Sequence, residues 1–248
     1  SSVSVSESTI IVGAYGSDSV AIDAGAAYVF QYDPSSDTWP ETKITASDGA
    51  ASDWFGTSVS LSGTTAIVGA SLDDDNGVSS GSAYIFQYDP SSDDWQEAKL
   101  TASDAAEGDS FGRRVSISES IAVVGASGDD DDGTDSGSAY IFQSDPSSND
   151  WKESKLLNSD GGADDRFGQS VSVSGTTVFV GASGDTVNDV KTGSALIPEG
   201  PIVTTETKIL ASDGAVNDEF GSSVSVSGSI VVVGARYDDD NGGSSGAA

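Results

Sequence analysis

Serine and apolar residues alternate over Ser58-Val59-Ser60-Leu61-Ser62, so one face of this stretch is apolar and the other carries hydroxyls. That period of two predicts a strand with a single buried face. Gly63-Thr64 follows as a tight turn, and Thr65-Ala66-Ile67-Val68-Gly69-Ala70 then runs apolar without a break. Two stretches joined this closely predict an antiparallel hairpin, and the unbroken run predicts a strand covered on both faces. An eleven-residue acidic loop, 71–81, leads into Ser82-Ala83-Tyr84-Ile85-Phe86-Gln87-Tyr88, rich in β-formers. Asp89-Pro90-Ser91-Ser92-Asp93-Asp94 predicts a turn, because proline fixes φ while Asp and Ser bond back to the local backbone. A fourth strand is predicted over 95–102. Its Glu97 and Lys99 share one face, as do Glu41/Lys43, Glu153/Lys155 and Glu206/Lys208, and this reads as a solvated outer face of little energetic weight.

The pattern recurs. Asp-x-Phe-Gly stands at 53–56, 109–112, 165–168 and 218–221, with Val-Gly-Ala at 68–70, 124–126, 180–182 and 233–235, and an earlier Val-Gly-Ala at 12–14. A fixed period of this length marks a repeat architecture in which each unit buries its apolar face against its neighbours. Four antiparallel strands per repeat predict an all-β chain of the β-propeller type, built of four-stranded antiparallel blades. A β-solenoid is the alternative, but its coils repeat at much shorter periods and no Gly-Gly-x-Gly-x-Asp nonapeptide occurs. The expected organisation is a single array over 1–248, with repeats near 1–54, 55–110, 111–166, 167–219 and a partial 220–248. Each Phe is expected to wedge between adjacent blades, and the Gly after it to admit the neighbouring backbone. Four full strand sets plus one hairpin suggest an incomplete ring, with the polypeptide continuing or neighbouring copies capping the ends.

Composition narrows the function. Forty acidic residues against ten basic give a net charge of −30, which repels nucleic acid and anionic lipid and favours cations, basic proteins or a saline medium. His, Cys and Met are absent, which removes the commonest general base, the thiol nucleophile and the usual zinc ligands. Two carboxylates can hydrolyse a glycoside, but that needs a unique asymmetric pair, and here every candidate Asp recurs from repeat to repeat. A non-enzymatic chain is expected. No apolar stretch approaches the length of a transmembrane helix.

Phe-Gly-x-Ser-Val-Ser at 55, 167 and 220 (Phe-Gly-Arg-Arg-Val-Ser at 111), the five Val-Gly-Ala motifs, and Gly-Ser-Ala-Tyr-Ile-Phe at 81–86 and 137–142 resemble the FG-GAP repeat family. The resemblance spans the chain. It implies an integrin α-like β-propeller that serves as an extracellular, cell-surface platform for adhesion or interaction. The chain departs from the integrin pattern in one respect. Integrin-type repeats carry an Asp-rich calcium loop between the first two strands, whereas here that connection is only Ser62-Gly63-Thr64 and its counterparts, so the family's calcium site does not transfer.

The acid lies one connection further on. Asp73, Asp75 and Asn76 stand in one loop, Asp129 and Asp131 in the next, Asp185 and Asn188 in the fourth repeat, and Asp238, Asp240 and Asn241 in the last. Alternating carboxylates, an amide oxygen and a Gly for a sharp turn suit a flexible oxygen cage for Ca²⁺. A solvated acidic turn without an ordered ion is the other reading, and both stay open. A second recurring set, Asp48 with Asp53, Asp104/Asp109, Asp160/Asp165 and Asp213/Asp218, is expected to be structural, with Asp accepting from backbone N–H groups before Phe-Gly. Trp39, Trp95 and Trp151 offer faces for sugar rings, with packing at the base of the outer strand as the preferred reading. In the fourth repeat Pro198 and Pro201 are expected to break the outer ladder. The expected partners are other proteins or neighbouring subunits of a surface or fibrous assembly, with glycans, through a lectin-like propeller, as the alternative.

Overall fold

The computed structural model describes residues 2–148, 150–198, 206–239, 243 and 245–248. The chain is all-β and divides into two compact units, Ser1–Glu119 and Ser120–Ala248. Among the described residues no helix is long and apolar enough to cross a membrane.

The first unit opens with a four-stranded antiparallel sheet: β1 (Val3–Ser6), β2 (Thr9–Ala14), β3 (Ala26–Gln31) and β4 (Glu41–Ile44), paired in chain order. A second sheet of the same kind follows, with β5 (Phe55–Ser62), β6 (Thr65–Ala70), β7 (Ser82–Asp89) and β8 (Asp94–Leu100). The unit ends on β9 (Arg114–Ser118), the opening strand of a third copy. The alternation read from the sequence is obeyed: Val59 pairs with Val68 and Leu61 with Ala66 on one face, while Ser60 pairs with Ile67 on the other. As expected from its unbroken apolar run, β6 is buried on both faces beyond its first residue.

The second unit takes up the third copy at β10 (Ile121–Ala126), β11 (Ser138–Ser144) and β12 (Trp151–Leu156). Its next sheet contains β13 (Phe167–Ser174) and β14 (Thr177–Ala182), then, after the small hairpin of β15 (Thr186–Val187) and β16 (Val190–Lys191), β17 (Ser194–Pro198) and β18 (Glu206–Ile209). A last hairpin joins β19 (Phe220–Ser227) to β20 (Ile230–Ala235). The expected irregularity of the fourth repeat shows as a shortening: β14 and β17 pair over three residues, against six in each of the first three sheets, while β17 and β18 still pair. Ala195 pairs with Ile209, Leu196 with Lys208, Ile197 with Thr207 and Pro198 with Glu206. Pro198 is tolerated because it is the last residue of its strand, where a missing N–H interrupts no further bond. Pro201 lies outside the described residues.

Within each unit, sheets stack through the aromatic–glycine step. Phe55, 1% exposed, packs with Ile11, Ala27 and Val29 of the first sheet and with Tyr84 and Phe86 of its own. Its N–H donates to the Ala24 carbonyl at 3.0 Å, forming a short parallel bridge beside Gly25. Gly56 has φ +92°, and a Cβ there would meet the Ala26 carbonyl. The glycines of Val-Gly-Ala complete the approach: a side chain on Gly69 would overlap the Gly112 carbonyl, and one on Gly125 the Gly168 carbonyl.

The serines of the alternating strands have a specific task. Ser4 and Ser6 Oγ accept from the Leu61 and Gly63 N–H groups, both at 3.0 Å. Ser58, Ser60 and Ser62 accept in turn from Val115, Ile117 and Glu119 at 2.9–3.1 Å. In the second unit Ser172 and Ser174 accept from Val226 and Gly228, both at 3.1 Å. Outward N–H groups along β5, β9 and β19, which would otherwise form an exposed edge, are thus satisfied by hydroxyls of another sheet's first strand.

Candidate functional site

The connection between the second and third strands closes on the same backbone hydrogen bond in every repeat. Gly81 N–H donates to the Asp73 carbonyl at 2.9 Å, and Gly137–Asp129, Gly193–Asp185, Gly246–Asp238 and Gly25–Ser17 repeat the bond at 2.8–3.0 Å. The first residue of each pair follows the second by eight positions, so the backbone between them folds back on itself. In four of the five repeats the second residue is a buried aspartate: Asp73 3%, Asp129 3%, Asp185 1% and Asp238 7% exposed.

A buried carboxylate needs hydrogen bonds and a counter-charge. Asp73 Oδ1 accepts from the Asp75 N–H at 3.0 Å, while Oδ2 accepts from the Tyr84 hydroxyl at 2.9 Å. The counter-charge is Lys99. Its Nζ lies 3.0 Å from Asp73, 2.7 Å from Asp48 and 2.5 Å from Asp75, so three carboxylates converge on one ammonium. Strand pairing explains the reach: Lys99 is directly opposite Tyr84 on β7, and Nζ stands 5.2 Å from that ring's centroid.

The electrostatics follow from this packing. Burial alone would lower the Lys99 pKa, but hydrogen bonds to Asp48, Asp75 and Asp73 outweigh it and hold the ammonium above its ordinary value. Burial would raise Asp48, and the bonds from Lys99 and Tyr84 reverse that and lower it. Burial, reinforced by the charge of Asp73, pushes the Tyr84 phenol well above its usual range.

The arrangement recurs in the second unit. Lys155 Nζ lies 2.8 Å from Asp129 and 2.6 Å from Asp131, and the Tyr140 hydroxyl donates to Asp129 at 3.1 Å. Lys208 lies 2.7 Å from Asp185 and also pairs with Asp160. Leu196 stands where Tyr84 stood, and the Ser194 hydroxyl donates to Asp185 instead. In the second and third repeats the equivalent hydroxyls, Ser82 and Ser138 Oγ, are buried without a partner.

These lysines are the residues that sequence reasoning misplaced. Glu97 and Lys99 do not lie on a solvated outer face. They share the face of Trp95, which is 7% exposed and belongs to the core, and Glu97 accepts from the Ser47 N–H and hydroxyl at 3.1 and 2.7 Å. Trp95, Glu97 and Lys99 are two residues apart, so the period of a strand already placed them together. A four-carbon stem then carries the charge inward.

The other expected ligands are placed as follows. Asp75 and Asp131 are exposed residues that contact the lysine, while Asn76 is exposed, its N–H donating to Ser80 Oγ at 3.3 Å. Asn188 is exposed and, with Asp189, takes positive φ (52° and 65°) in the two-residue turn between β15 and β16, the geometry of a type I′ hairpin. Asp238 is buried at its loop base, and Asp240 and Asn241 lie outside the described residues. The aspartate before each Phe-Gly is structural, as expected: Asp53, Asp165 and Asp218 accept from the Ala50, Gly162 and Ala215 N–H groups at 2.6, 2.8 and 2.5 Å, and Asp109 does the same from Ala106 at 2.7 Å. Burial, joined by the charge of Asp73, raises the Asp53 pKa against the opposing Ala50 bond.

The FG-GAP repeat family matches five stretches, 1–30, 39–86, 95–142, 151–197 and 203–248, which together cover most of the sequence. The chain belongs to the FG-GAP repeat family. Three of the matched stretches begin at Trp39, Trp95 and Trp151 and end on the third strand of the following sheet. The FG-GAP unit of sequence thus joins the outer strand of one sheet to three strands of the next, and it includes both the lysine of one loop and the aspartate of its successor. FG-GAP modules are generally non-catalytic, and the repeated carboxylates here are of one kind with that. No curated protein matches the chain.

Proposed function

We propose that this chain is a non-enzymatic, extracellular interaction module, a run of propeller repeats within a larger surface or fibrous assembly, whose partners are other proteins or neighbouring subunits. The observation that carries this reading is the recurrence of the buried carboxylates. Asp73, Asp129 and Asp185 hold the same position in successive loops, and each is engaged by a lysine of its own repeat. Chemistry at one of them would require a unique arrangement, and scaffolding requires sameness. With a net charge of −30, the surface selects basic partners and steers them at low ionic strength. The test is surface-plasmon binding of the intact chain to a panel of basic extracellular proteins across a salt series. Saturable binding that weakens with salt supports the proposal, and no binding to any member at low salt overturns it.

A sugar-binding reading is favoured by one place in the first repeat. Trp39 is 46% exposed, its ring 5.2 Å from that of Tyr32, whose hydroxyl donates to Asp37 at 2.8 Å. Its counterpart Trp95 is buried. Glycan-array binding that vanishes in Trp39→Ala would establish the lectin-like role, and an array without hits would remove it.

A further inference from the structure

We propose that Lys99, Lys155 and Lys208 are the resident cations of the acidic loops, which therefore hold their shape without a divalent metal. The sequence pattern pointed to an oxygen cage for Ca²⁺, and in the third repeat Asp104, Asp129 and Asp131 do gather carboxylate oxygens within 4.8 Å of one another, but Lys155 Nζ already lies 2.8 and 2.6 Å from two of them. In the second repeat the place where the Asp48, Asp73 and Asp75 carboxylates converge is occupied by an ammonium at 2.5–3.0 Å from all three. Calcium takes six to eight oxygen ligands at roughly 2.3–2.6 Å, so it would have to expel that group. The stem is not free to leave. Lys99 is opposite Tyr84 in the strand ladder, Asp73 Oδ2 is shared between the ammonium and the Tyr84 hydroxyl, and the other oxygens of Asp73 and Asp48 accept from the Asp75 N–H and the Tyr84 hydroxyl.

Asp74 and Asp130 are also committed. Asp74 Oδ1 accepts from the Ser79 N–H and Asp130 Oδ1 from the Asp135 N–H, both at 2.7 Å, which ties the loop to itself. The first repeat supplies a control within the same chain. Ser17 replaces the buried aspartate there, and Lys43 is exposed, 5.7 Å from the Tyr28 ring centroid. A lysine turns inward in three of the four loops that carry the buried charge, at Asp73, Asp129 and Asp185, as expected of a counter-ion. The module's adhesive surface would then be insensitive to chelators. The partner is not needed to test this, so the inference stands or falls apart from the proposed function.

Thermal unfolding of the intact chain in millimolar calcium chloride and in EGTA tests the claim without any variant. The expected Tm difference is within about 1 °C, because a ligand that does not bind the folded state does not shift it. A calcium-dependent rise of more than about 5 °C, which signals binding well above Kd, overturns the proposal. In parallel, Lys99→Met is expected to lower Tm by about 10 °C, since it leaves a buried carboxylate without its counter-charge. Adding Asp73→Asn to Lys99→Met is expected to recover part of that loss, and Lys99→Arg to retain most of the wild-type value. A Lys99→Met chain that melts with the wild type refutes the assignment.

Discussion

Ser17 and Asp73 occupy one position in two loops that close on the same pair of backbone hydrogen bonds, from Gly25 and Gly81 and back to Ala14 and Ala70. One loop is built around a hydroxyl and leaves its lysine in solvent, and the other is built around a carboxylate and draws its lysine in. The backbone of the connection is therefore set by the glycines and the strand ends, not by the charges. The carboxylate decides instead what fills the space between loop and outer strand. Two layers of specification are separable in one repeat: a frame common to both, and an electrostatic filling that one has and the other lacks.

The largest expected effect attacks the common frame. Gly13→Ala and Gly69→Ala should be equally damaging, because the added carbon meets the Gly56 carbonyl in one case and the Gly112 carbonyl in the other. A loss of about 4 kcal/mol or more is expected for each from urea midpoints. A large difference between them would break the equivalence of the two repeats. Next comes the filling. Lys99→Met should cost about 3 kcal/mol and Lys43→Met no more than about 0.5 kcal/mol, the scale of an exposed cation–π contact. Equal losses would mean that the buried carboxylate is not what distinguishes the loops.

Alkaline titration sharpens the same contrast. Lys99 and Lys208 are raised above the ordinary 10.5, so the stability they provide is complete below 10.5 and drains away as pH climbs through the folded-state values. Tyr84 acts in the same direction, because the unfolded phenol ionises from 10.0 upward while the folded one stays protonated. Stability followed by denaturant midpoint should be level from neutrality to about pH 10 and fall beyond it. Lys99→Met should flatten part of that fall. The smallest effect concerns Tyr84. Tyr84→Phe removes one donor to Asp73, but the partnerless Ser82 hydroxyl sits where Ser194 serves Asp185. A cost below about 1 kcal/mol is expected, rising when Ser82→Ala is added, and strict additivity of the two would deny the substitution of one hydroxyl for the other.

The strands and their order were legible because both periods in the sequence report on burial directly. Val59 and Leu61 alternate with serines, and they lie buried against the preceding sheet. The role of the serines was not legible, since a hydroxyl on a strand gives no sign of whether it faces water or a neighbouring N–H. The structural use of Asp53 was readable from its place before Phe-Gly. The lysine clamp was half-readable: the recurrence of Glu-x-Lys was plain, and Trp95 at the same parity already marked the buried face. What alternation cannot convey is the length of reach of a flexible stem, or that Asp48, from an earlier loop, would meet Asp73 at its tip. Pro198 was read too strongly for a similar reason, because a breaker at the last rung shortens a ladder and does not interrupt it.

The row of serines that caps β5, β9 and β19 has an implication for how such a chain can be lengthened. The chemistry offered by one copy is always oxygen, and the chemistry sought by the next is always backbone amide, so recognition between neighbours is written in atoms that every residue possesses. Copies can then be duplicated, deleted or traded in order with no new side-chain code to invent at the junction. Growth of the array is limited by how many copies geometry admits, and the sequence of any single copy is free to drift toward its own task.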